Sequence, residues 1–252
     1  MKKIAQITAI FWVMKICATT LGETGGDWLA QTLKVGYSIS SIIFFSIFLI
    51  SLVFQLSAKK FHPFLYWAVI LTTSTAGTTI SDYMDRTLGL GYATGSAILV
   101  SILIVIFAIW YKTEKTLNIN HIETRRAETF YWIAILFSNT LGTALGDFIA
   151  DSSGLGYIGG ASIIGISLLL LLLGYYFTQI PRVILFWLAF VLTRPFGATF
   201  GDLLTKSHEK GGMNLGTSGS SLVLLAILLI LVTYTAVQKN QKNRNNELTI
   251  SH

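Results

Sequence analysis

Cysteine is almost absent from this sequence. The one thiol, Cys17, lies inside an apolar stretch, which excludes an intrachain disulfide and a thiolate metal cluster within one subunit. Charge is scarce as well, at 12% of 252 residues against about a quarter in an ordinary soluble domain. With 53% hydrophobic residues, 13% aromatic ones and a mean hydropathy of +0.65, that shortage excludes a water-soluble globule. The chain also lacks H-E-x-x-H, G-x-S-x-G, a P-loop and a glycine-rich dinucleotide turn. Its histidines, His62, His121, His208 and His252, fall in connections or in the tail. No enzyme is expected from this set, and no resident cofactor.

What is present is length in the apolar runs. Several exceed about 18 residues, enough to cross a hydrocarbon core of roughly 30 Å at 1.5 Å per residue. The chain therefore reads as a multi-pass membrane protein whose first partner is the lipid bilayer. A net charge of +6 does not imply nucleic acid, because all but two of the 18 Lys and Arg sit between or at the ends of the apolar runs. Lys2 and Lys3 precede the first run as they would in a signal peptide, but that run is too long and carries the repeat described next. It is kept as a span.

Four internal repeats stand out. Phe11-Trp12, Tyr66-Trp67, Tyr131-Trp132 and Phe186-Trp187 are each followed ten residues after the Trp by a glycine, Gly22, Gly77, Gly142 and Gly197. Fifteen residues after the Trp stands an aspartate, Asp27, Asp82, Asp147 and Asp202. Three copies continue with Gly36-Tyr37, Gly91-Tyr92 and Gly156-Tyr157, then a second apolar run. The fourth departs, with the longer and more charged connection Ser207-His208-Glu209-Lys210-Gly211-Gly212.

Eight helices are predicted, over 5–30, 37–57, 64–86, 92–111, 128–150, 157–177, 182–205 and 216–237, two to a repeat. The repeats span 5–57, 64–111, 128–177 and 182–237 within a single membrane domain, followed by a polar tail over 238–252. An even number of spans per repeat makes the repeats parallel. The predicted fold is all-α, with four parallel two-helix repeats and the odd helices forming the inner bundle. Twelve Lys and Arg, from Lys2 and Lys3 through Lys242 and Arg244, fall on the side of the termini, against Lys34, Arg86, Lys206 and Lys210 opposite. That asymmetry predicts cytoplasmic termini.

On Trp12, Trp67, Trp132 and Trp187 with their Gly and Asp followers, the chain resembles a bacterial integral membrane protein family. That family is defined by four tandem copies of a repeat of unknown function, each with two transmembrane segments and a characteristic tryptophan. The resemblance covers nearly the whole chain and implies a bacterial inner-membrane protein. It implies no activity.

The residues themselves suggest where chemistry sits. Small residues four apart, Gly22 and Gly26, Gly77 and Ser81, Gly142 and Gly146, Gly197 and Gly201, form packing notches on the odd helices. Beside each notch an Asp lies about 22 Å along the helix from the Trp, beyond the midplane, where a carboxylate is costly unless it is paired, solvated or coordinating. The alternatives are a shared ion site, with Glu23 as a fifth carboxylate, or four caps at the external mouth. Polar residues one or two turns earlier, Thr20, Thr75, Thr140 and Asn139, suit an oxygen-lined path or hydroxyls bonded to their own helix. Lys15 is expected to snorkel or to serve as a counter-ion, and Arg194, beside the kink-forming Pro195, to act as an internal counter-ion.

Five carboxylates against two cations, a net −3, suit a hard cation held by oxygen. The expected function is a transporter or channel for Mn²⁺ or another divalent ion, or for H⁺ or Na⁺, with Asp27, Asp82, Asp147 and Asp202 as metal ligands. A proton-coupled carrier of a small organic substrate, with Trp28, Tyr83 and Phe148 lining its pocket, and a non-transporting scaffold or sensor are the alternatives. A homodimer stays open.

Overall fold

The computed structural model describes residues 4–250, the side chains of residues 240 and 242–250 excepted. Lys2, Lys3 and the side chains of Lys242 and Arg244, which enter the orientation argument, lie outside the described residues, as do residues 251–252. Eight α-helices make up the fold: α1 (Ala9–Asp27), α2 (Tyr37–Ser57), α3 (Pro63–Asp82), α4 (Tyr92–Glu114), α5 (Arg125–Asp147), α6 (Gly156–Phe177), α7 (Arg182–Thr205) and α8 (Thr217–Ile250). No strand occurs among the described residues. α8 continues as helix through the polar stretch read from the sequence as a tail.

Local chemistry explains the helix ends. The Thr8 and Thr124 hydroxyls accept the backbone N–H of Phe11 and Ala127 and so cap α1 and α5, and Pro63 opens α3 where its missing N–H costs nothing. α1, α3 and α5 each run on into one π-helical turn, Trp28–Thr32, Tyr83–Thr87 and Phe148–Ser152. The glycine of each Gly-Tyr pair then takes a positive φ, 82° at Gly36, 72° at Gly91 and 67° at Gly156, which reverses the chain into the next helix. α7 has no π turn. It stops at Thr205, and the longer fourth connection forms a 3₁₀ turn over His208–Lys210 before α8.

The odd helices close into a ring in the order α1, α3, α5, α7 and back to α1. Each even helix lies outside that ring, packed on the odd helix of the following repeat: α2 on α3, α4 on α5, α6 on α7, and α8 back onto α1. The sequence repeat is therefore not the packing unit, and the last helix completes the first. Six helices are long and apolar enough to cross a membrane: α2, α4, α5 with its π turn, α6, α7 and α8. α1 and α3 are not among them, because they turn polar residues inward, Lys15, Glu23 and Asp27 on one and the buried Thr73–Thr79 stretch on the other.

Candidate functional site

Position within the repeat sets depth in the ring, and the layers follow from the Trp end to the Asp end. At the Trp end, each aromatic preceding a Trp packs on the Trp of the next repeat. Ring centroids are 5.6 Å apart for Phe11 and Trp67, 5.5 Å for Tyr66 and Trp132, 6.2 Å for Tyr131 and Trp187, and 5.8 Å for Phe186 and Trp12. The buried Tyr66 and Tyr131 hydroxyls share a hydrogen bond of 2.6 Å. This cluster fills that end of the bundle.

One turn deeper stand Lys15, Ile70, Ile135 and Phe190, all fully buried. Lys15 neither snorkels nor meets a carboxylate among the described residues. Its ammonium donates to the Asn139 amide oxygen at 3.2 Å and lies 4.1 Å from the Phe190 ring centroid. The Asn139 amide nitrogen donates in turn to the Thr73 hydroxyl at 3.0 Å. An amide dipole and an aromatic face replace water around the charge.

The notches come next. A Cβ on Gly22 would fall 2.3 Å from the Ser74 hydroxyl, on Gly77 2.9 Å from the Asn139 carbonyl carbon, on Gly142 2.3 Å from Arg194 Cγ and on Gly197 2.4 Å from the Thr19 hydroxyl. Each glycine thus seats the residue seven after the Trp of the following repeat, and the fourth seats that of the first. Gly26, Gly146 and Gly201 seat Thr78, Ala198 and Glu23 in the same cyclic way. The Thr20, Thr75 and Thr140 hydroxyls donate to the Ile16, Leu71 and Leu136 carbonyls of their own helices, the second of the two arrangements expected for them. A threonine rotamer that reaches back one turn satisfies the group without a partner helix.

Eleven residues after the Trp, the four repeats carry Glu23, Thr78, Thr143 and Ala198. The guanidinium of Arg194, itself fully buried, reaches across this layer. It donates to Glu23 Oε2 at 2.9 Å, to the Thr143 hydroxyl at 2.6 Å and to the Thr78 hydroxyl. Pro195 follows inside α7, and its carbonyl accepts the Thr199 hydroxyl at 3.0 Å.

The four aspartates are buried one turn further on, and they are paired. Arg86 lies 2.8 Å from Asp82 Oδ1 and donates to Asp147 Oδ2 at 2.8 Å. Lys206 lies 3.0 Å from Asp202 Oδ1 and donates to Asp27 Oδ2 at 2.6 Å, while the Gln31 amide donates to Asp27 Oδ1. Although burial opposes its charge, the Asp202 and Asp27 carboxylates hold the Lys206 pKa above the ordinary lysine range. Above the pairs opens a cavity of about 380 Å³ lined by Gln31, Arg86, Asp151, Tyr157, Lys206 and Lys210. Trp28 and Phe148 are partly exposed and, with Tyr83, do not line it.

These contacts change the expected ligand set. Oxygens of Glu23, Asp27 and Asp82 lie within 4.8 Å of one another, although Asp27 and Asp82 each also belong to a clamped pair; Asp147 and Asp202 belong to the clamped pairs alone. Asp82 is 1% exposed, and its Oδ2 has no hydrogen-bond partner among the described residues. Arg86 and Lys206, read from the sequence as loop charges, bring the site to five carboxylates against four cations, a net −1 in place of −3. The signal for both was present, since each stands four residues after its Asp on the same helical face.

A family model described as a Repeat of Unknown Function matches four tandem segments, residues 10–61, 65–116, 130–180 and 185–241. No curated protein and no solved structure matches the chain. With four copies covering most of its length, the chain belongs to the Repeat of Unknown Function (DUF347) family.

Proposed function

We propose that this protein is a multi-pass transporter of the bacterial inner membrane, with both termini cytoplasmic, that moves a hard cation: Mn²⁺ or another divalent ion, or H⁺ or Na⁺. The observation that carries the reading is the buried trio Glu23, Asp27 and Asp82, within 4.8 Å of one another beneath a solvent-facing cavity. Each already faces one cation, Arg194, Lys206 and Arg86 respectively, and carboxylates this close in a medium of low dielectric are stabilised further by a shared cation or proton. Oxygen donors without Cys or His favour a hard ion over Cu⁺ or Zn²⁺.

In this reading the cavity is the external entrance and the aromatic cluster the closed cytoplasmic end. The same glycine seating recurs at each junction of the ring, so the repeats can rock against each other and open one end as the other closes. The test is flux into proteoliposomes carrying ion-sensitive dyes, screening H⁺, Na⁺, Mg²⁺, Ca²⁺ and Mn²⁺ for wild type beside D27N, D82N, D147N and D202N. The expected result is flux of one ion, abolished by D27N and D82N in protein that stays folded. No flux under any gradient, or normal flux in all four variants, removes the reading.

One observation favours a second reading. The cavity carries both signs of charge, Arg86, Lys206 and Lys210 beside Asp151, a lining suited to a small zwitterionic or anionic organic substrate carried with protons. Uptake of such a compound, inhibited by cations, would select it.

A further inference from the structure

The four repeats agree at the aspartate and disagree one turn later, where they carry Gln31, Arg86, Asp151 and Lys206. That disagreement breaks the ring into two clamps. Each holds two carboxylates from neighbouring repeats with one cation, and each retains one negative charge in excess. Asp27 belongs both to the Lys206 clamp and to the trio with Glu23 and Asp82, so a cation entering the trio meets an Asp27 whose Oδ2 already holds an ammonium. Asp82, the third member of the trio, is buried, and its Oδ2 has no hydrogen-bond partner among the described residues, which leaves it a lone pair for such a cation.

The two clamps are not alike. Arg86 spreads a planar guanidinium over both carboxylates, lies against the Tyr37 and Tyr92 rings at 5.9 and 5.6 Å, and donates to the Tyr37 hydroxyl. Lys206 presents a compact ammonium on a flexible stem and lies against no ring among the described residues. Its backbone is pinned, with its N–H on the Asp202 carbonyl at 2.8 Å and its carbonyl accepting from Asn214 at 2.9 Å, so the side chain moves alone. Its stem lines the cavity, 15% exposed, which leaves room for the ammonium to leave the carboxylates for water.

We propose that Lys206 is a tethered cation that holds Asp27 and Asp202 and is displaced into the cavity by the incoming ion. The proposal rests on the cation reading above. It explains why the fourth repeat lacks the π turn and has the longer connection: α7 ends at Thr205, which sets Lys206 at the rim instead of inside a π turn. Exchange of one cation for another leaves Asp27 compensated before and after the ion binds; a monovalent ion keeps the buried charge constant and a divalent ion raises it by one.

The test uses the full chain in lipid nanodiscs. Lys206 is acylated with a membrane-impermeant amine reagent and followed by peptide mass spectrometry, with and without Mn²⁺ and, separately, Na⁺, while Lys34 serves as an exposed control. Calorimetric titration of the same ions into wild type and K206Q runs alongside. The expected result is a several-fold rise in Lys206 labelling on adding the ion that binds, with Lys34 unchanged, and binding to K206Q roughly tenfold tighter because the internal competitor is gone. Ion binding with unchanged Lys206 labelling and equal affinity in K206Q overturns the exchange and leaves the cation reading standing. No binding of either ion to folded wild type or K206Q overturns both. The labelling arm needs no substitution, so a misfolded variant does not spare the proposal.

Discussion

Replacing Gly77 by alanine is the sharpest test of the ring. The added Cβ would lie 2.9 Å from the Asn139 carbonyl carbon and 2.9 Å from the Thr140 backbone nitrogen, closer than real Cβ contacts come. Main chain cannot rotate out of the way, so α3 and α5 must part by several tenths of an ångström. The neighbouring seats, closed in a ring, resist that movement. Overpacking of this kind costs about 1–3 kcal/mol, which for a chain of this size lowers Tm by about 2–12 °C. Gly25 is the internal control, on a helix of the same ring but with nothing within 4 Å of its added Cβ. There alanine gains about 0.5–1 kcal/mol of helix propensity. The assay is a thermal melt of purified protein in one detergent, followed by loss of the monodisperse peak in size exclusion. G77A melting at or above G25A would refute the close backbone approach, and with it the cyclic seating.

Three further outcomes follow from named contacts. E23Q strands the Arg194 guanidinium in the bundle and costs about 3–5 kcal/mol, whereas E23Q/R194M recovers most of the loss in the same melt; a double variant no better than E23Q would refute the pairing. Y66F loses one buried hydrogen bond and leaves the Tyr131 hydroxyl unpartnered, a cost of about 1–3 kcal/mol, so Y66F/Y131F should melt closer to wild type than either single variant. The T20V, T75V and T140V variants should transport at the wild-type rate, because each hydroxyl serves only its own helix; loss of flux in any one would restore the threonine-lined path.

The parts legible in the sequence were those carried by spacing along one chain. A Trp, a Gly and an Asp at constant offsets identify four copies of one unit, and small residues four apart identify the faces on which helices meet. Arg86 and Lys206 show where that reading stopped. Each is visibly one turn beyond an Asp, but whether a basic residue at a helix end faces bulk water or a neighbouring carboxylate depends on a second helix. Lys15 failed for the opposite reason: a long charged side chain near a helix start has water within reach in an isolated helix, and only the Asn139 amide and the Phe190 ring on other helices hold it inside.

Composition and periodicity by themselves determined an all-α chain of four repeats with polar inner helices, because burial in an apolar environment constrains every residue of a helix separately. Partner choice was decided only by the tertiary structure. It joined each even helix to the following repeat, seated the seventh residue after each Trp on its neighbour's glycine, and sorted four equivalent aspartates into two clamped pairs, with one aspartate of each pair, Asp27 and Asp82, meeting Glu23. Those outcomes depend on contacts between residues 21 to 207 positions apart in sequence, and at such separations electrostatics and packing act through space and leave no local pattern to read.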